Sequence, residues 1–225
     1  MAQQDPAIRK VPDFWFSLPP EDWFSDKQDK YIIDNFSSYV DKARLTDELD
    51  GTWTSTPSGS LALVLLLDQF TRNIYRPGNH PEPGLSWSCD KKALKVATNA
   101  IAKGWDRKVQ QEHSSQRGRG YIHRRFLYLP FMHAEDMQSQ TACCALCENL
   151  ALELEVEYLQ KQARGEEETK EDEAFRKRMR GDVAFAERHR DCVAMHGRFP
   201  KRNEPLGRES TEAEKKFLEE NPDGF

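Results

Sequence analysis

Residues Thr56–Arg76 read "TPSGSLALVLLLDQFTRNIYR", and this stretch decides the fold. Thr56 suits a helix N-cap and Pro57 the first helical position, where a missing N–H costs nothing. The apolar run that follows is too long for a strand and lacks period-two alternation, so it predicts a buried helix, ended by Pro77-Gly78. Asp68 and Arg72 lie four residues apart, as do Gln69 and Asn73, so each pair shares a face. The polar groups continue a stripe of core leucines, which places some of them in the interior, where each must find a partner. Two readings stand: an Asp68–Arg72 pair that fixes packing, or Arg72 presented to an anionic ligand with Asn73 beside it.

Working outward, helical periodicity recurs almost throughout. Lys27 to about Leu49 places Tyr31, Ile32, Phe36, Tyr39, Val40 and Ala43 at helical spacing. Asp90 to about Lys103 puts Leu94, Ala97 and Ile101 on one face, with Gly104 as its stop. Val11–Phe24 is an aromatic, proline-punctuated start, 77–88 a loop, and 105–120 a polar connection. "YIHRRFLYLPFMHAEDMQSQ" and the cysteine-rich run after it are helical, divided or kinked at Pro130. Phe175 to His196 is a helix capped by Gly197, and Thr211 with Glu214 forms a capping box for a last short helix. The charged stretch at about 160–174 reads as an exposed insertion, either flexible or a helix extension. No useful strand pattern and no glycine-rich nucleotide motif occur. The expectation is therefore one all-α domain over residues 1–225, with about eight helices packed as antiparallel pairs.

Composition bounds the function. The chain has 225 residues, 37% hydrophobic and 32% charged, which supports a core beneath a charged surface. A net charge of −5 argues against a general nucleic-acid binder. No apolar run approaches membrane-spanning length and the N-terminus is not a signal peptide, so a soluble, cytoplasmic protein with no membrane partner is expected. Five cysteines, an odd number, do not suggest a disulfide framework. Cys144-x-x-Cys147 is half a zinc site without a second half, so small core cysteines are the simpler account and no metal or other cofactor is expected.

Two further clusters carry chemistry. Leu129, His133, Asp136 and Gln140 fall at spacings of four, three and four. A carboxylate one turn after a histidine can hold the imidazole in one tautomer for acid–base work, although a satisfied core histidine has the same signature. Glu135 points away from that face. Phe185, His189, Cys192 and His196 share another face, followed by Arg198, Arg202 and Asn203. A helix C-terminus favours cations, but so many Arg, His and Asn side chains also suit an acidic ligand.

The segments "GSLALVLLLDQFTRNIYR", "FLYLPFMHAEDMQSQ" and "FAERHRDCVAMHGRFPKRNEPLGRESTEAEKKFL", with the opening "PDFWF", resemble in order the family catalogued as domain of unknown function 924. The resemblance runs from about Val11 to Phe225 and implies a tetratricopeptide-like, right-handed helical array. Family motifs usually read DQFPRN and RFPHRN; Thr71 and Lys201 stand here for the Pro of the first and the His of the second. Matched positions are Asp68, Gln69, Arg72 and Asn73; His133, Glu135, Asp136 and Gln140; and His189, Arg190, Arg198, Arg202 and Asn203. Converging, these would line a pocket for a small anionic or carbonyl-bearing molecule, with His133, oriented by Asp136, or His189 as acid/base of a cofactor-independent lyase or isomerase. The alternatives are a protein- or peptide-interaction module, for which a protein partner would be sought, and a purely structural polar network.

Overall fold

A computed structural model describes residues 5–114 and 119–222 of the chain. Every regular element among them is a helix, so the protein is all-α. No described helix is long and apolar enough to cross a membrane. Contacts divide the chain into two compact units, Met1–Ser115 and Gln116–Phe225.

Unit one contains α1 (Ala7–Ser17), α2 (Asp29–Leu45), the short α3 (Asp50–Trp53), α4 (Pro57–Val64), α5 (Thr71–Ile74), α6 (Asp90–Ala102) and α7 (Trp105–Glu112). Between α4 and α5 the chain does not leave the helix. Leu65–Phe70 form a π-helical segment, so residues 57–74 run as one rod through the unit. Leu61 to Leu67 are all fully buried, as an apolar helix surrounded by others must be. Helices α1, α2 and α6 pack around this rod. Phe70 lies 5.4 Å from Trp15 and 4.9 Å from Phe36, ring to ring. The rod starts as the sequence dictates: Thr56 Oγ1 accepts from the Gly59 N–H at 3.1 Å, with Pro57 in the first turn.

Three expectations for this unit change. The N-terminal segment is a helix that accommodates Pro12 in its interior. Residues 105–112 of the polar connection expected over 105–120 are helical, because Val109 and Asp106 turn inward on α7, and its residues 115–118 lie outside the described residues. In α6 the buried face is Ala93, Val96, Ala97 and Ala100, whereas Leu94 and Ile101 lie at its margin. Small side chains on this face permit close approach to α4.

Unit two contains α8 (Arg119–Phe126), α9 (Leu129–Met132), α10 (Met137–Ala163), α11 (Lys170–His196) and α12 (Glu212–Glu220). The two 27-residue helices α10 and α11 form a long antiparallel pair, cross-linked by Arg180 to Glu148 and Arg176 to Glu155. Much of the charged stretch at 160–174 is therefore helix. Only residues 164–169 connect, and Arg176 also binds Glu168 there at 3.0 Å. Gly197 ends α11 at φ 72°, and α12 opens with both halves of the Thr211/Glu214 capping box. Beyond Pro130, the helix expected to continue through "FMHAEDMQ" is interrupted: α9 stops at Met132 and Asp136 is the N-cap of α10, its carboxylate accepting from the Ser139 N–H at 2.8 Å.

Candidate functional site

In unit one the π-helical segment and α5 present the first polar motif. Asp68, Gln69 and Asn73 are buried, and Arg72 is partly so. Gln69 Nε2 donates to Asp68 Oδ2 at 2.5 Å. Arg72 donates to the Asp68 carbonyl, lies 3.4 Å from Asp68 Oδ1, and shares one terminal nitrogen between both oxygens of Asp90 at 2.9 and 3.1 Å. Asn73 Nδ2 reaches Asp29 at 2.8 Å. The same buried carboxylate accepts from Arg76 Nε at 2.7 Å and Asn79 Nδ2 at 2.6 Å. Asp29 thus gathers three donors from the end of the rod and the turn after it. The guanidinium of Arg72 is committed to protein carboxylates, which is the packing reading of the motif. Thr71, where the family pattern has Pro, is fully buried and donates to the Leu67 carbonyl at 2.9 Å.

Just beyond this network the rod ends in a cleft of about 420 Å³, lined by Ile33, Ile74 and Leu85 with Arg44, Tyr75 and His80 as its main polar groups. Arg44 lies over the Tyr75 ring at 5.6 Å, and its Nε is buried without a hydrogen-bond partner among the described residues. Its NH2 reaches Asp41 only at 3.4 Å, while Asp41 also accepts from the Tyr75 hydroxyl at 3.2 Å. His80 stands edge-on to Tyr75, ring centroids 4.9 Å apart. Its Nδ1 accepts the Glu82 N–H at 3.1 Å. In the neutral ring Nε2 then carries the hydrogen and is the donor. Ser37, Asp41, Asn79 and Glu82 complete the polar rim.

In unit two the second and third motifs meet. Glu135 accepts from the Phe199 N–H at 2.9 Å and binds Arg208 through both oxygens at 2.7 and 2.9 Å. Burial works to raise this carboxyl, but Arg208 and the Phe199 N–H outweigh it and hold it below its ordinary range. Arg202 is buried, stacks on Phe199 at 4.5 Å and donates to the His133 carbonyl at 3.0 Å. Arg198 forms a bidentate pair with Glu214 at 2.6 and 2.9 Å, which keeps that carboxyl well below the usual range. Asn203 is buried and donates to Ser210 at 3.0 Å. Gln140 closes the corner between α9 and α10 by donating to the Met132 and Ala134 carbonyls, each at 2.7 Å. Arg190 turns outward to its neighbour Asp191.

The two histidines differ. His133 is half-buried at the end of α9. Asp136 is not one helical turn from it, because the helix breaks between them, and the Asp136 side chain caps α10 instead. His189 is buried between Phe185 and Phe199, with Nδ1 at 2.9 Å from the Phe185 carbonyl. Burial pushes its pKa down to about 3, so it is a neutral ring at physiological pH. That value lies far from the operating pH that suits a general base.

The sequence pattern of the family described as "Bacterial protein of unknown function (DUF924)" matches residues 11–222. The chain belongs to this family. It is also similar to the solved structure of a protein of unknown function, ATU0120, from Agrobacterium tumefaciens. The two share 33% identity with a TM-score of 0.67, over 95% of this chain and 97% of that one. No curated protein matches.

Within the family motifs, sequence spacing missed the partners more than the motif residues. Asp29, Asp90, Arg208 and Glu214 complete the networks, and Arg44, Tyr75 and His80 form the cleft. Glu214 was visible only as a capping residue and Arg208 only as one more basic residue in a loop. Arg44 and Asp29 lie at the two ends of α2, and nothing in their spacing announces the rod they face. Unit two holds further buried arginines in the "HRRF" run, Arg124 paired with Glu153 at 2.5 Å and Arg125 with Asp182 at 2.6 Å. No group of three or more His, Cys, Asp or Glu among the described residues is placed to hold a metal ion. Cys143 and Cys147 are free thiols buried in α10.

Proposed function

We propose that the protein binds a small carbonyl-bearing or monoanionic molecule in the unit-one cleft at the end of the 57–74 rod. The observation that carries this reading is Arg44: a guanidinium on the cleft wall, stacked on Tyr75, with a buried Nε that no group among the described residues satisfies. Buried donors are rarely left unpaired, so such a group favours an oxygen-bearing ligand. The His80 Nε2–H would be a second donor for the same oxygen or its neighbour. Charge narrows the class: the lining offers one guanidinium against Asp41 and Glu82, which suits a carbonyl compound or monocarboxylate better than a polyanion. Ile33, Ile74 and Leu85 favour a short apolar body. A ring N–H and a guanidinium that line one cleft could together polarise a carbonyl held between them, so proton transfer or isomerisation next to that carbonyl is the chemistry the cleft would support.

The test is a thermal-shift series with short monocarboxylates, keto acids and aldehydes beside matched di- and tricarboxylates. Wild type should be stabilised by a member of the first group, and Arg44→Gln should abolish the shift while keeping its helical circular dichroism. If no monoanion or carbonyl compound stabilises wild type, or if Arg44→Gln responds as wild type does, the proposal is wrong.

A second reading applies to the motifs of unit two. The paired Arg198–Glu214 and Arg208–Glu135 contacts favour a structural role there, in which they lock the 197–211 loop to α12 and to the corner before α10.

A further inference from the structure

Helix α10 is apolar on two sides. One side, with Cys143, Cys147, Leu150 and Ala151, is buried. The opposite side carries Leu152, Val156 and Leu159, exposed by 52%, 43% and 53%. Ala145 and Ala163 extend the same line and are exposed too. The steps from Ala145 through Asn149, Leu152, Val156 and Leu159 to Ala163 alternate four and three, which is the seam of a coiled coil. A solvent-facing helix surface normally carries polar residues at these positions.

We infer that this seam is the contact surface for a second copy of the chain, packed antiparallel as a two-fold dimer. Three observations select that occupant. First, the seam is nearly palindromic about Leu154: reversal sets Ala145 against Ala163 and Leu152 against Val156, with Asn149 against Leu159 as the one mismatched pair. A two-fold contact requires such a self-complementary patch. Second, the small alanines at both ends keep the ends of the seam from holding two helices apart, so that Leu152, Val156 and Leu159 can meet in the middle. Third, the acids beside it are already neutralised within the unit. Glu148 pairs with Arg180 at 3.0 Å, Glu155 with Arg176 at 2.9 Å and Glu153 with Arg124 at 2.5 Å. A basic partner helix would find little unpaired charge, and two copies meet without strong repulsion.

The seam spans about 28 Å at 1.5 Å per residue, so its contact area falls at the small end of specific interfaces. The dimer should dissociate with a Kd on the order of tens of micromolar. Sedimentation equilibrium of the full chain, followed up to about 300 µM, tests this. Wild type should pass from monomer to dimer as concentration rises, and the pair Leu152→Lys with Leu159→Lys should weaken association at least tenfold. The pair Leu152→Gln with Leu159→Gln serves if the lysine protein loses its helical signal. A wild-type protein that stays monomeric across the range, or a folded double variant that dimerises as wild type does, overturns the inference. A foreign helix as the true occupant would give the first of those results.

Discussion

His189 illustrates how a side chain's surroundings decide its chemistry. Held between two aromatic rings, it is neutral in the folded protein and charges only near pH 3. An unfolded histidine protonates near 6.5, so acid favours the unfolded chain. The stability contributed by keeping this ring neutral is present above about pH 6.5 and drains away as pH falls towards 3. At pH 5 the loss is about 2 kcal/mol, from one and a half pKa units at 1.36 kcal/mol each. We expect His189→Gln, which cannot titrate, to show a flatter decline of urea-derived stability between pH 6.5 and 4. An equal slope in variant and wild type would place the acid sensitivity elsewhere. The residue was legible in sequence as one of a shared helix face, but its burial and protonation state were not. Spacing gives a direction on a helix; it does not give the carbonyl of Phe185 or the ring of Phe199.

At the scale of elements, the rod 57–74 was legible because its signals agree: Thr56, Pro57, an apolar run and Pro77-Gly78 all point to one helix. The π-helical segment inside it was not, since apolar residues all round the rod erase any phase from which a change of winding could be read. The break at His133–Asp136 was missed for a related reason. "HAED" carries good helix formers at good helical spacing, while Asp136 prefers the cap, where its oxygen serves the Ser139 N–H. Gly59 gives a sharp test of the rod's start. A methyl group there would come within 2.2 Å of the Trp53 carbonyl oxygen. Alanine for glycine inside a helix ordinarily stabilises by about 1 kcal/mol. Here the sign should invert, with Gly59→Ala destabilising by roughly 2 kcal/mol through a backbone clash, seen as a lower urea midpoint at unchanged m-value. A more stable variant would mean that α3 does not pass so close to α4.

Across the whole molecule, the helical class followed from periodicity and the absence of strand patterns, and membership of the family from long motifs in order. The partners of the polar motifs did not follow, because Asp29 and Asn73 are 44 residues apart and their meeting is a property of packing. That separation bears on how the chain reaches its structure in time. The pair α10–α11 closes a connection of six residues, 164–169, whereas Asp29 must find Asn73, Arg76 and Asn79 across 44 to 50. Three doublings of loop length cost about 2 kcal/mol in closure entropy, at about 0.6 kcal/mol each. Local pairing therefore has a head start. In pulsed hydrogen exchange during refolding, amides of α10 and α11 should gain protection before those of 57–74, and simultaneous protection would refute that order. Asp29 then acts late: it is the clasp that fastens once the long loop has already been drawn in.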